Sequence, residues 1–257
     1  MDLSTIRLGC MKVKDILDRV TTLYNDLEYI RVPESHYLKF IDDALNQLVL
    51  LRPDCHVKTA VVKLEQGTRQ TLPDDGCTLI EIYMNKKKEI NPASGEEEFF
   101  NYYPITHVER NDLDFFSNWQ SYANAKSSKD YITEFAYEKK SPKVYWVSPY
   151  VGDKDVFVEM DYSYTFPRIS DIPPYSDGSY EEAENTEIDL QDIWLGPLCN
   201  YVLYELYSVD STSQLDRQIA QSYLQAFYQS VSLEDASAGA VVPEIKPNVP
   251  QVPGGNA

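Results

Sequence analysis

"LLRPDCHVKTAVVKLEQGTRQTLP", Leu50 to Pro73, is where the hydrophobic pattern of this chain changes period. Ahead of it, Tyr37, Phe40, Ile41, Ala44, Leu45 and Leu48 make one stripe at helical spacing. Pro33 can open that helix, because its missing N–H would be unpaired in the first turn anyway. Pro53 closes it by pushing Arg52 out of the helical region. The two prolines predict a helix of roughly five turns. Beyond Pro53 the period becomes two. Ala60, Val62 and Leu64 share a face, Gln66-Gly67 turns the chain and Thr68 to Leu72 returns, which predicts a β-hairpin. Pro73-Asp74-Asp75-Gly76 is a second turn, leading into a strand from Thr78 to Met84.

Working outward, Val13, Ile16, Leu17, Val20, Leu23 and Leu27 predict a first amphipathic helix of about four turns. The charge runs Lys86-Lys87-Lys88 and Glu96-Glu97-Glu98, around Asn91-Pro92, read as an exposed, solvated loop. Asn111 to Gln120 has room for one or two helical turns. Ser141 to Ser148 and Asp155 to Thr165 return to strand composition, with Val156, Val158, Met160, Tyr162 and Tyr164 alternating. A loop with Pro173-Pro174 and Asp177-Gly178 runs from Pro167 to Asn185. Leu190, Ile193, Trp194, Leu198, Tyr201 and Val202 mark a third helix, which Pro197 kinks or starts. Leu215, Ile219, Ser222, Ala226 and Phe227 mark a fourth, beginning near Ser213. After Leu233 the periodicity is lost, and Pro243, Pro247, Pro250 and Pro253 stand among small residues and valines. Such a segment cannot bury itself in its own core.

The expected architecture is α+β. Residues 11–53 and 189–233 form a four-helix core. Residues 54–188 are a β-rich insertion between helices 2 and 3, and residues 234–257 an extended proline-rich arm. Val241, Val242, Ile245, Val249 and Val252 give that arm apolar side chains that a solvated linker has no reason to carry, so it is expected to bind a partner.

The net charge of −18 argues against gripping nucleic acid, which needs clustered Lys and Arg. The charge is uneven: Asp153 to Asp210 holds 14 acids against Lys154 and Arg168, and so contributes −12 of it. The longest aliphatic run, Leu48 to Leu51, is far short of a membrane span, and no basic, then apolar leader follows Met1-Asp2. A cytosolic site of synthesis is expected, and no membrane partner. Cys10, Cys55, Cys77 and Cys199 have no CxxC spacing and read as scattered thiols rather than a metal or disulfide site.

No catalytic constellation is legible. His36, His56 and His107 stand alone, and ordinary surface or capping roles outweigh metal ligation. Phosphate-loop, dinucleotide, zinc-protease and nucleophile-elbow motifs are missing. With 41 acidic residues, some carboxylates must lie close together by chance, so a paired-carboxylate site carries little information. No enzyme activity and no cofactor are expected. The 20 tyrosines fit a binding surface and a half-wet sheet equally well.

The stretch "FIDDALNQLVLLRPDCHVKTAVVKLEQGTRQTLPDDGCTLIEIYMN" resembles the head-to-tail adaptor proteins of short-tailed and related tailed bacteriophages. The positions that carry the resemblance are Leu45, Asn46, Arg52, Pro53, Gly67, Thr68, Gln70, Leu72, Pro73 and Asn85. It continues through Leu113-Asp114, Trp119, "YWVSPYVGDKDVFVEMDYSYTFP" and "LCNYVLYELYSVD", most of residues 11–233. Pro197, the acidic loop before it and the tail depart from it.

The resemblance implies a virion protein at the head–tail interface, assembled in the bacterial host cytoplasm. It would form a homo-oligomeric ring, commonly a dodecamer, under the portal protein. The ring would extend the DNA channel, let DNA pass without specific binding, and give tail or nozzle proteins a platform. Two other classes compete: a tyrosine-rich binding module unrelated to phage connectors, and a tail-associated cell-wall hydrolase. Particle size separates the first from the adaptor, and a peptidoglycan-release assay the second. Within the adaptor reading, Arg52-Pro53 launches the insertion away from the helices, with Arg52 pairing to Asp54 or to helix carbonyls.

Overall fold

A computed structural model of the chain describes residues 11–92, 95–115, 129–209 and 213–238. Trp119, Cys10 and all five apolar residues of the expected arm lie outside the described residues.

The chain enters through a two-residue strand, β1 (Met11–Lys12), and turns directly into helix α1 (Val13–Tyr24). The Lys12 N–H donates to the Asp15 carboxylate at 2.8 Å, so a first-turn acid takes up a free donor. Val13, Ile16, Leu17, Val20, Thr21 and Tyr24 are buried. The expected continuation to Leu27 does not occur: Asn25 adopts φ 58°, a left-handed cap that Asn tolerates, and Leu23 and Leu27 are exposed. Asp26 then organises the return. Its carboxylate accepts the N–H groups of Ile30, Arg31 and Val32 and the Tyr37 hydroxyl, at 2.8–3.1 Å. Burial works to raise its pKa, but those donors outweigh it and hold the carboxyl below its ordinary value.

Helix α2 (Glu34–Leu51) runs between the two prolines as the sequence predicts, and Tyr37, Leu38, Ile41, Ala44, Leu45 and Leu48 are buried along it. After the sheets, a 3-10 turn (Asp192–Trp194) leads into a helix at Leu195–Val209, and a further helix follows at Gln214–Ala238. Pro197 lies in the first turn of the former, where its missing N–H breaks no bond, so the helix begins there rather than kinks. The last helix packs through Ala220, Tyr223, Leu224, Phe227 and Val231, while Leu215 and Ser222 of the expected stripe face solvent. It continues past Leu233 to Ala238, five residues into the segment expected to be an extended arm, in a stretch that holds neither proline nor glycine. The four long helices share one hydrophobic cluster, joined by Ile169, Ala183 and Ile188 from the end of the expected insertion. A short strand at Glu187–Ile188 pairs with β1, so this end of the insertion belongs to the helical body.

Between α2 and Ile169 the chain builds two four-stranded sheets. In chain order the strands are β2 (Val57–Lys63), β3 (Gly67–Thr71), β4 (Gly76–Ile90), β5 (Glu97–Pro104), β6 (Thr106–His107), β7 (Glu134–Tyr137), β8 (Val144–Val151) and β9 (Phe157–Tyr164), with a helix α3 (Arg110–Phe115) after β6. One sheet has the order β2-β9-β4-β5 and the other β3-β8-β7-β6. Leu79, Ile82, Val158, Met160 and Tyr162 of the first face Phe135, Tyr145, Val147 and Val151 of the second in one buried cluster.

Two expectations are overturned here. The strands flanking Gln66-Gly67 do not form a hairpin: β2 pairs with β9, and β3 with β8 in the other sheet. The corner carries the chain from one sheet to the other. The charge runs are not a loop either. Lys86 to Ile90 extends β4, and Glu97 to Asn101 pairs against it, with Lys88 and Glu97 forming an ion pair at 2.6 Å. Cross-strand pairing of opposite charges supports a wet ribbon that composition alone reads as irregular.

Candidate functional site

The residues that carry the resemblance do not converge on one pocket. Arg52, Pro53, Gly67 and Pro73 lie where the chain changes direction, and Arg52, Gln70 and Asn85 are each tied down by side-chain hydrogen bonds.

At the first corner the helix α2 ends with the Arg52 N–H bonded to the Leu48 carbonyl, and Pro53–Cys55 makes one 3-10 turn. The buried Arg52 guanidinium clasps the Asp54 carboxylate through Nε and Nη2, at 2.9 and 2.7 Å. Its Nη1 donates to the Val231 carbonyl of the last helix at 3.2 Å, and the group lies 5.6 Å from the Trp194 ring centre. The side-chain bonds to Arg52 hold the Asp54 carboxyl below its ordinary pKa. Both partners expected for Arg52, Asp54 and a helix carbonyl, are therefore engaged together.

The return strand closes beside this exit. His56 is buried rather than superficial, stacked between the rings of Tyr164 and Phe166 with centroids 3.8 and 3.7 Å away. Its Nδ1 donates to the Tyr164 carbonyl at 3.0 Å, which assigns the proton to that nitrogen because a carbonyl only accepts. Burial lowers its pKa and favours the neutral ring. Three residues beyond Phe166, Asp42 of α2 accepts the N–H groups of Ile169 and Ser170 at 2.8 and 3.0 Å. The outgoing and incoming strands are thus bolted to α2 and to the last helix through side-chain bonds as well as packing.

At the second corner Gly67 takes φ +123°, a backbone state that L side chains rarely adopt. The buried Gln70 amide substitutes for the ladder that the corner lacks. Its Oε1 accepts the Glu65 N–H at 2.8 Å, and its Nε2 donates to the Glu65 and Gly67 carbonyls at 2.8 and 3.3 Å. Leu72 enters the sandwich core and Pro73 opens a turn closed by Gly76 N–H to the Pro73 carbonyl at 2.8 Å. A β-carbon on Gly76 would stand 3.0 Å from Leu72 Cβ and 3.2 Å from the Tyr162 ring, so glycine is needed for close packing. Asn85 is fully buried inside β4. It donates to the Tyr103 and Ile132 carbonyls at 2.9 and 2.8 Å and accepts the Ile132 N–H at 2.8 Å. Leu45 is core, while Asn46 is exposed and stands apart from these corners.

Sequence reasoning missed Asp26 and Asp42. The available signal for Asp42 was an acid lying within the apolar face of α2, which demands a buried partner. Among the described residues, no group of three His, Cys, Asp or Glu is placed to hold a metal. Burial pushes the Cys55 thiol up to about 12 and the Cys199 thiol up to about 11, so both are protonated at neutral pH. No described helix is long and apolar enough to cross a membrane.

A helical body joined to a two-sheet unit through polar-clamped corners defines an α+β protein with its polar motif residues spent on architecture. The family described as SU10 adaptor protein matches residues 11–244, and the chain belongs to that family. That match spans every corner described above. No curated protein matches the sequence. Family membership gives the chain a general structural, adaptor role in the head–tail context of a phage.

Proposed function

We propose that this chain is the head-to-tail adaptor of a tailed phage, a dodecameric ring under the portal protein that extends the DNA channel and gives tail or nozzle proteins their platform. The observation that carries this reading is the family match across residues 11–244. The geometry supports it. A two-sheet unit held to a helical body by Arg52, His56 and Asp42 is a stiff lever that transmits load instead of swinging. The charge of −18 per copy suits a wall along which DNA slides, since like charge repels phosphate and gives no Lys or Arg grip. The same self-repulsion opposes ring closure by free subunits at low salt, so the portal acts as template. The residues Val241, Val242, Ile245, Val249 and Val252 are an arm that lies across a neighbour or the portal. Ring assembly takes place in the host cytoplasm, and the ring then stays in the virion.

The test uses DNA-filled heads that carry a portal and lack the adaptor. Full-length protein added to them should form a ring under the portal, visible by electron microscopy, and heads plus tail proteins should become infectious. Chain truncated after Ala238 should keep its melting temperature and fail to join heads. Heads that bind no full-length protein would overturn the adaptor reading, and truncated protein that restores infectivity would overturn the arm.

A further inference from the structure

The first sheet ends, at both sides, in strands with no further strand partner among the described residues: β2 on one side and β5 on the other. An unpaired edge exposes a row of N–H and C=O groups that can template another strand. Every pairing in this sheet, β2 with β9, β9 with β4 and β4 with β5, is antiparallel, so β5 runs opposite to β2. A second copy whose β2 lies against β5 therefore continues the alternation without reversing a strand. The contact joins two different surfaces of the same chain, and such head-to-tail contacts generate rings when the rotation closes.

The two edges are also complementary in side chains. On the outer face of the sheet β2 presents Thr59, Val61 and Lys63, and the regular part of β5 presents Glu97, Phe99 and Asn101. Phe99 packs edge-on against Phe157 at 5.2 Å, and Phe157 is the cross-strand partner of Lys63, which puts these rows on one face. Set antiparallel, Lys63 meets Glu97, Val61 meets Phe99 and Thr59 meets Asn101: charge on charge, apolar on apolar, polar on polar. Val61 and Phe99 are 37% and 39% exposed, an apolar pair left partly open to solvent at the two edges. Within one chain Lys63, Phe157, Lys86 and Asn101 stand in a row. Meeting Glu97 instead of Asn101 shifts the neighbour by four residues, or about one residue per strand across this sheet. That is the stagger by which a sheet tilts and closes on itself, as eight strands with a shear of eight do in a barrel.

We propose that neighbouring copies are joined by β2 of one pairing antiparallel with β5 of the next, Lys63 opposite Glu97 and Val61 opposite Phe99, so that the first sheets form one continuous belt. This rests on the ring reading above and names the surface that builds it.

The test is made on portal-bearing heads with full-length protein, wild type alongside as the check on ring formation. Lys63→Glu and Glu97→Lys should each lower ring occupancy at least tenfold, and the double variant should recover to within about threefold of wild type. In rings carrying both Val61→Cys and Phe99→Cys, mild oxidation should give a ladder of covalent multimers absent from wild type and from either single variant. Wild-type rings with neither the rescue nor the ladder would overturn the β2–β5 belt and leave the ring standing. Failure of wild type to form a ring would overturn the ring reading itself.

Discussion

Replacing Asn85 with Leu removes a fully buried amide and leaves its shape almost unchanged, so it isolates the hydrogen bonds from the packing. Three bonds are lost, but they are not equal. The bond to the Tyr103 carbonyl is only part-buried, so its loss counts for less. Ile132 is buried, and both its N–H and its C=O lose their partner. A buried polar group left unpaired costs about 1–3 kcal/mol, and two of them cost about 2–6 kcal/mol, which the added apolar side chain only partly offsets. The expected net loss is about 3 kcal/mol, or on the order of 100-fold in the opening equilibrium of this region. Amide exchange by mass spectrometry reads this locally: peptides covering Ile132 to Tyr137 should lose protection by roughly that factor, while α2 peptides keep theirs. Asn85→Asp retains an acceptor for the Ile132 N–H but turns a charge toward two carbonyls, and should not rescue. Unchanged protection in the Leu variant would refute the claim that this amide holds the first sheet to the strand entering the second.

Arg52→Ala should cost about 1.5–3 kcal/mol, the range for hydrogen bonds to a charged group, and Arg52→Lys should recover little because one ammonium cannot fork to Asp54 and reach Val231 together. Thermal unfolding checks both. Leu45→Ala, at a site 1% exposed in the helical cluster, should cost roughly 2–5 kcal/mol, and an unchanged melting temperature would contradict the packing of α2. Glu34 carries a pKa raised to about 7, by burial first and by the neighbouring Glu184 carboxylate second, and Lys14 stands 3.7 Å from Glu184. Its folded pKa lies above the unfolded one, so the folded state holds the proton more tightly, and stability falls as pH rises from about 4.5 through 7. Glu34→Gln should therefore raise the melting temperature at pH 8 and flatten that slope; a variant with the wild-type pH profile would refute the assignment.

The helices were legible because their signals are local. Pro33 and Pro53 set both ends of α2 through steric rules that hold whatever packs against it. Alternation along Val156 to Tyr162 likewise needed only the strand's own pleat to be read. The same local reading failed at Gln66-Gly67, because a glycine corner between two strands looks identical whether the strands pair with each other or diverge. What decides is whether Glu65 and Gly67 find a ladder or an amide, and Gln70 supplies the amide only once the chain has folded back. The charge runs failed for a related reason: Lys88 and Glu97 stabilise a ribbon only after cross-strand pairing brings them to 2.6 Å. Resemblance picked out Arg52 and Asn85 as part of a pattern, and each has a partner far along the chain, Val231 for the one and Ile132 for the other. Steric and periodic information is written in consecutive residues, and the sequence by itself determined what rests on it. A buried polar group must be satisfied, but sequence does not say by whom, and only the tertiary structure decided that.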